Sequence, residues 1–257
     1  MSTVDVEDNM FDLKDFLDEK CLLYQNQSFI ESDPISIPHR YTKKEDIEIS
    51  ALLASTIAWG NRKAILKSCD VMMNMLGNEP YNFIISASEK DISALSKFVY
   101  RTFQADDLPS MVRGLRNIYL NGGLEKVFSS CSDIRSSIIH FRQLMLPFLS
   151  YRTYKHIADV DKGAAGKRLN MFLRWMVRSD KGGVDFGLWT KIKPSQLMLP
   201  LDVHTGNTSR ALGILKRKQN DWKAVEEVTS VLRKYCPDDP IKYDFALFGL
   251  GINEHFK

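Results

Sequence analysis

Residues 163–178, GAAGKRLNMFLRWMVR, and residues 200–215, PLDVHTGNTSRALGIL, decide how the rest of the chain is read. In the first, Gly163 and Gly166 permit a tight turn, and the helix that opens behind them presents free N–H groups to an anion such as a phosphate. Lys167 falls in the first turn of that helix. The positive end of the helix dipole and partial burial both disfavour an ammonium there, which is the direction an amine nucleophile requires. In the second stretch Asp202 stands at the N-cap of a helix, where a carboxylate accepts backbone N–H bonds and stays ionised. Each residue alone has a bland explanation, a solvated lysine and an ordinary cap. Together an amine and a carboxylate at two helix mouths are minimum equipment for removing a base from a nucleic acid.

Working outward, the periodicity is helical throughout. Apolar residues recur at three- and four-residue intervals from about Met10 to Ile30, which predicts one amphipathic helix. The segment 31–44, ESDPISIPHRYTKK, reads as a loop on its two prolines. Thr42 and Glu45 have the spacing of a capping box ahead of a core helix through Ile57, and a second helix through Met75 ends at Gly77. Short helices are expected around 82–86 and 91–98. Asp106 or Asp107 caps a helix ended by Gly122-Gly123, a short helix follows at 124–128, and Ser132 or Asp133 caps a longer one through Phe148. Residues 221–235 form another amphipathic helix. Asp239-Pro240 reads as a cap with proline at the first helical position, ahead of a final apolar helix. The fold class is therefore all-α, with no repeat and no linker long enough to separate autonomous domains.

Composition excludes several classes. Of 257 residues 44% are hydrophobic and 26% charged, and no apolar run approaches the ~20 residues of a membrane span. The acidic start MSTVDVEDNM lacks an apolar secretion core, so a cytoplasmic protein is expected. Cys21, Cys69, Cys131 and Cys236 are widely scattered, which points to reduced, mostly buried thiols rather than zinc or an iron–sulfur cluster. The net charge of +3 is weak, but Lys162, Lys167, Arg168, Arg174, Arg178 and Lys181 face only Asp180 in their segment, and a local basic surface follows. Arg168, Arg174 and Arg178 recur near helical spacing, as phosphate contacts on one helix face would. Trp59 and Trp189 are the aromatic residues placed to stack on an extruded base, whereas Trp175 reads as core. His204 is read as a local hydrogen-bonding group without a catalytic role.

Gly163-x-x-x-Lys167-x-x-Asn170, with Leu201-Asp202-Val203-His204 and Arg210-x-Leu212-Gly213, resembles the helix-hairpin-helix DNA glycosylase superfamily, which includes endonuclease III and the 8-oxoguanine glycosylases. Taken whole, the chain is similar to a family of uncharacterised bacterial proteins assigned to that superfamily. The resemblance implies a two-lobed helical fold with a cleft between lobes: residues 46–178 as a six-helix lobe with the hairpin, and 1–45 plus 179–257 as the second. It implies a base-excision glycosylase, with or without a β-lyase step, acting on double-stranded, damaged DNA. Lys167 would be the nucleophile on the sugar, Asp202 its carboxylate partner, and Gly163, Gly166, Arg168 and Arg174 the DNA contacts. No metal or other cofactor is implied, a monomer is expected, and the analogy with lysine-bearing relatives that lack a cluster points to an oxidised purine. The target base must first be flipped from the stack.

The chain departs from the superfamily pattern at four places. Residues 161–166, DKGAAG, stand where L-P-G-V-G is usual, and SDKGGVDFGLW is inserted at 179–189. The glutamine often found at the end of the first barrel helix is missing from LLASTIAWGN, residues 52–61, and the four-cysteine cluster of endonuclease III has no counterpart. A non-catalytic helical protein that binds nucleic acid is accordingly the alternative, with a small-molecule enzyme reusing the cleft as a third.

Overall fold

The computed structural model describes residues 4–179 and 182–254, with the backbone alone for 4–12. Asp180 and Lys181, and the acidic side chains before Leu13, lie outside the described residues. In chain order the helices are α1 (Val4–Tyr24), α2 (Gln27–Ser32), α3 (Lys44–Thr56), α4 (Arg62–Met75), α5 (Pro80–Ser86), α6 (Glu89–Ala94) and α7 (Asp107–Leu120). There follow α8 (Gly123–Phe128), α9 (Ile134–Met145), α10 (Lys167–Val177), α11 (Val203–Ala211), α12 (Trp222–Tyr235) and α13 (Tyr243–Asn253). The described residues contain no sheet, only isolated bridges such as Ala164 with Asp221. The protein is all-α.

Two helices are buried on every side. Residues 47–56 of α3 and 169–177 of α10 are all buried, and the two helices pack on each other. A helix that is covered all round belongs to the centre of a fold. A second grouping forms where α1 and α11 both pack on α13. Leu17 and Cys21 seat α1 there with less than a tenth of their surface exposed.

Local chemistry sets most boundaries as read. Asn61, Asp133, Asp202 and Asp221 each accept an N–H from the first turn of the helix they precede. Gly77 and Gly122 take the left-handed conformation at the ends of α4 and α7.

Five expectations are corrected. The single helix over 10–30 is two, because the Asn26 side chain accepts the Ser28 N–H and starts α2. The loop at 31–44 contains two 3₁₀ turns, Pro34–Ser36 and Pro38–Arg40, whose Ile35 and Ile37 are wholly buried. Thr42 caps nothing: Lys43 occupies the N-cap of α3 and no side chain bonds to it, since Thr42 lies one residue too early. Neither Asp106 nor Asp239 makes the cap bond expected of it. Asp107 instead accepts from the Gln104 N–H, the Thr153 hydroxyl and the His156 ring, and Asp239 accepts from Arg178.

The four cysteines are free, Cys21 and Cys69 buried and Cys131 and Cys236 half-buried. No helix among the described residues is long and apolar enough to cross a membrane.

Candidate active site

Lys167 is the first residue of α10 and Asp202 the residue before α11, and the fold brings them face to face. Lys167 Nζ stands 3.7 Å from Asp202 Oδ2, with about a quarter of each side chain accessible (28% and 23%). Asp202 divides its two oxygens. Oδ1 accepts from the Thr205 N–H at 3.0 Å and the Thr205 hydroxyl at 3.2 Å, while the Asp202 N–H donates to that hydroxyl at 2.9 Å, a reciprocal capping box. Asn220 Nδ2 holds the Asp202 carbonyl at 3.0 Å. One oxygen is thus fixed by the helix and the other is aimed at the amine.

The pair opens on a cavity of about 560 Å³, lined also by Asp33, Trp59, Arg62, Arg168, Met171, His204 and Phe248. That size lies within the range of sites for small organic ligands. Trp59, half-buried just past α3, forms one wall. Its carbonyl accepts from the Tyr100 hydroxyl at 2.7 Å, and its indole stacks on His156 with centroids 5.8 Å apart and planes 17° from parallel. Asp107 holds that imidazole at 2.9 Å, so Trp59 is backed by a buried, hydrogen-bonded ring.

Arg168 also turns into the cavity. Its guanidinium lies 4.9 Å over the Trp59 ring and donates to the Thr56 carbonyl, and burial pulls it down to about 10. The expected outer phosphate contact is therefore part of the cavity wall.

Arg174 is corrected outright. Only 4% exposed, it donates to Asp185 at 3.2 Å and to Asp244. Arg178, also expected on a phosphate-binding face, is buried against Asp185 and Asp239 at 2.9 Å each. The helical spacing of these arginines is real, but their face of α10 points into the protein, where carboxylates from elsewhere in the chain neutralise them. Burial, opposed by Arg174, pushes the Asp244 carboxyl up to about 6.

Trp189 is corrected too. It is 2% exposed, packs edge-on to Phe172 at 5.4 Å, and donates Nε1–H to Glu48 Oε1 at 2.6 Å. It is core, as Trp175 is, and it anchors the segment inserted after α10. Glu48 receives the Tyr119 hydroxyl as well, at 2.8 Å.

Gly163 and Gly166 take the positive φ values that the turn requires, +93° and +66°. They do not line the cavity. The Gly163 N–H donates to the Val160 carbonyl, the Ala164 N–H to that of Asp159, and the Gly163 carbonyl receives the Trp222 N–H at 3.0 Å. This turn is tied to α12. The N–H groups of Lys167, Arg168 and Leu169 remain without an intrahelical carbonyl, as in any helix start.

Asp33, Arg62 and Asn220 belong to the site and were missed. Asp33-Pro34 has the form of a turn, and nothing local tells that the turn closes over a cavity built from α4, α10, α11 and α13. Among the described residues no group of three or more His, Cys, Asp or Glu side chains is arranged to hold a metal.

No curated protein and no solved structure matches this chain. A family model described as "Protein of unknown function (DUF2400)" matches residues 33–253, which takes in the whole of the site and all but the first two helices of the fold. The protein belongs to the DUF2400 family.

Proposed function

We propose that the protein is an N-glycosylase of the base-excision type, with Lys167 as nucleophile and Asp202 as its carboxylate partner. The observation that carries the reading is the 3.7 Å approach of Lys167 Nζ to Asp202 Oδ2 at the mouth of a 560 Å³ cavity walled by Trp59. In the reaction the neutral amine attacks the sugar C1′ as the C1′–N bond to the base breaks. Asp202 Oδ2 takes the lysine's proton or offsets the positive charge that develops on the sugar. Trp59 and Arg168 offer a flat face and a cation to an extruded base.

The two-lobed arrangement belongs to the same proposal. The packing of α3 on α10, and of α1 and α11 on α13, supports a division near residues 45 and 178, with the cavity between. The Trp189 segment is the exception, because it docks on the first group.

One observation favours a second reading, in which the cavity takes a small N-glycoside rather than a duplex. The Gly163 and Ala164 N–H groups, which a phosphate cradle needs, are spent inside the turn.

The test is borohydride trapping. Duplexes carrying 8-oxoguanine, uracil, an oxidised pyrimidine or an abasic site are expected to give a covalent adduct that Lys167→Gln does not form. Neither adduct nor base release across the panel sinks the duplex reading. Release from free nucleosides alone favours the small-molecule reading, and salt-sensitive DNA binding without chemistry favours a non-catalytic nucleic-acid-binding protein.

A further inference from the structure

The cavity holds a second carboxyl that the proposed chemistry has not used. Asp33 precedes the 3₁₀ turn Pro34–Ser36 and is 8% exposed, yet it lines the cavity beside Lys167. Behind it a recess of about 40 Å³ is shared by Asp33, Lys167, Met171, Arg174, Asp202 and Asp244. Oδ1 accepts the Ile35 N–H at 3.1 Å. Oδ2 has no hydrogen-bond partner among the described residues. A buried carboxyl normally has both oxygens bonded or holds a proton, because an ionised one loses too much hydration.

We propose that Asp33 is the general acid of this site, donating its proton to a ring nitrogen of the leaving base. The inference rests on the N-glycosylase reading and extends it to a substrate class: N-glycosides whose base departs as a neutral, protonated ring rather than as an anion. The step balances. Lys167 Nζ forms the bond to C1′, the electron pair of the C1′–N bond stays on the base, Asp33 supplies the proton the base gains, and the carboxylate left behind faces cations. Those cations are Arg174 from α10 and Arg62 from α4, with Arg168 further along the same wall. The opposing groups are Asp202 and the titratable His204 from α11, and Asp244 from α13.

The environment agrees with this role. Burial raises Asp33 above the usual carboxylate range, opposed by its Ile35 hydrogen bond and by Arg174, Arg62 and Lys167. A general acid works in its protonated form, so base release declines as pH rises through the raised Asp33 value. Asp202 lacks the same opportunity, since Oδ1 is committed to the helix cap and Oδ2 to the lysine.

The experiment compares two activities of one protein. Adduct formation at a preformed abasic site uses Lys167 but involves no leaving base; base release uses both. In Asp33→Asn, which keeps an oxygen for the Ile35 N–H, the ratio of base release to abasic-site trapping is expected to fall on the order of 10²-fold. The acid-favoured limb of the base-release pH profile is expected to vanish with it. An unchanged ratio, or a fall that leaves the pH profile intact, overturns the assignment and leaves the glycosylase reading standing. If the wild-type protein neither traps nor releases, both go together. Should Asp33→Asn fail to fold, Asp33→Ser retains a turn cap without an acid and reads the same ratio.

Discussion

Asp202 shows how one side chain can be an ordinary helix cap and a reactive partner at once. The cap uses Oδ1, and the 3.7 Å approach to Lys167 uses Oδ2. Asn preserves the first function, since it caps about as well as Asp, and loses the second because its amide carries no charge. Asp202→Asn is therefore expected to unfold within ~1 kcal/mol of wild type while base release falls on the order of 10²-fold or more. Thermal melting and single-turnover release measure the two halves. A variant that melts far below wild type would make Asp202 structural. Lys167 and Asp202 were legible as residue types at helix starts, which are local properties. Asp33 was not, because its place in the site depends on which helices surround it rather than on its neighbours in the chain.

At the scale of one element, α10 shows what periodicity reveals and what it hides. Its spacing makes a helix, and its apolar residues make a buried one. The same spacing makes Arg174 and Arg178 look like a stripe of phosphate contacts. Which way that stripe faces depends on Asp185, Asp239 and Asp244, which come from a later loop, the segment before α13, and α13 itself. Removing one partner of a buried ion pair leaves an uncompensated charge, which costs about 3–5 kcal/mol. Arg174→Ala is expected to destabilise the protein by that amount in urea unfolding, leaving Asp185 and Asp244 short of a cation. A phosphate-contacting arginine behaves oppositely: its alanine variant keeps full stability and loses a salt-dependent share of DNA affinity. Equal urea midpoints for variant and wild type would restore the surface reading.

For the whole molecule the telling contact is the return of the first helix to the last. A Cβ built on Gly249 of α13 would stand 2.2 Å from Tyr24 Cδ2 and 2.3 Å from Cγ, the root of the ring rather than its tip. The Tyr24 hydroxyl reaches on to Glu254 at 2.5 Å. In an isolated helix Gly→Ala stabilises by up to ~1 kcal/mol. Here overpacking costs about 1–3 kcal/mol, so the sign is expected to reverse. Gly249→Ala should lower the melting temperature, with α1 becoming more accessible in hydrogen exchange. A higher melting temperature would mean that α1 does not hold this position on α13.

What the sequence determined by itself was local. Helical class, most boundaries, the caps at Asp133 and Asp202, and the placing of Lys167 and Asp202 at helix starts all follow from spacing and from groups a few residues apart. What only the tertiary structure decided was direction: that Arg174, Arg178 and Trp189 point inward, that Arg168 and Trp59 share a wall, and that Asp33 closes over the Lys167–Asp202 pair. The physical reason is that a hydrogen bond to a helix end is complete within four residues. The sign of a buried charge's surroundings is assembled from separate elements, such as the loop, the segment before α13 and α13 around Arg174 and Arg178, or α4 and α10 around Asp33.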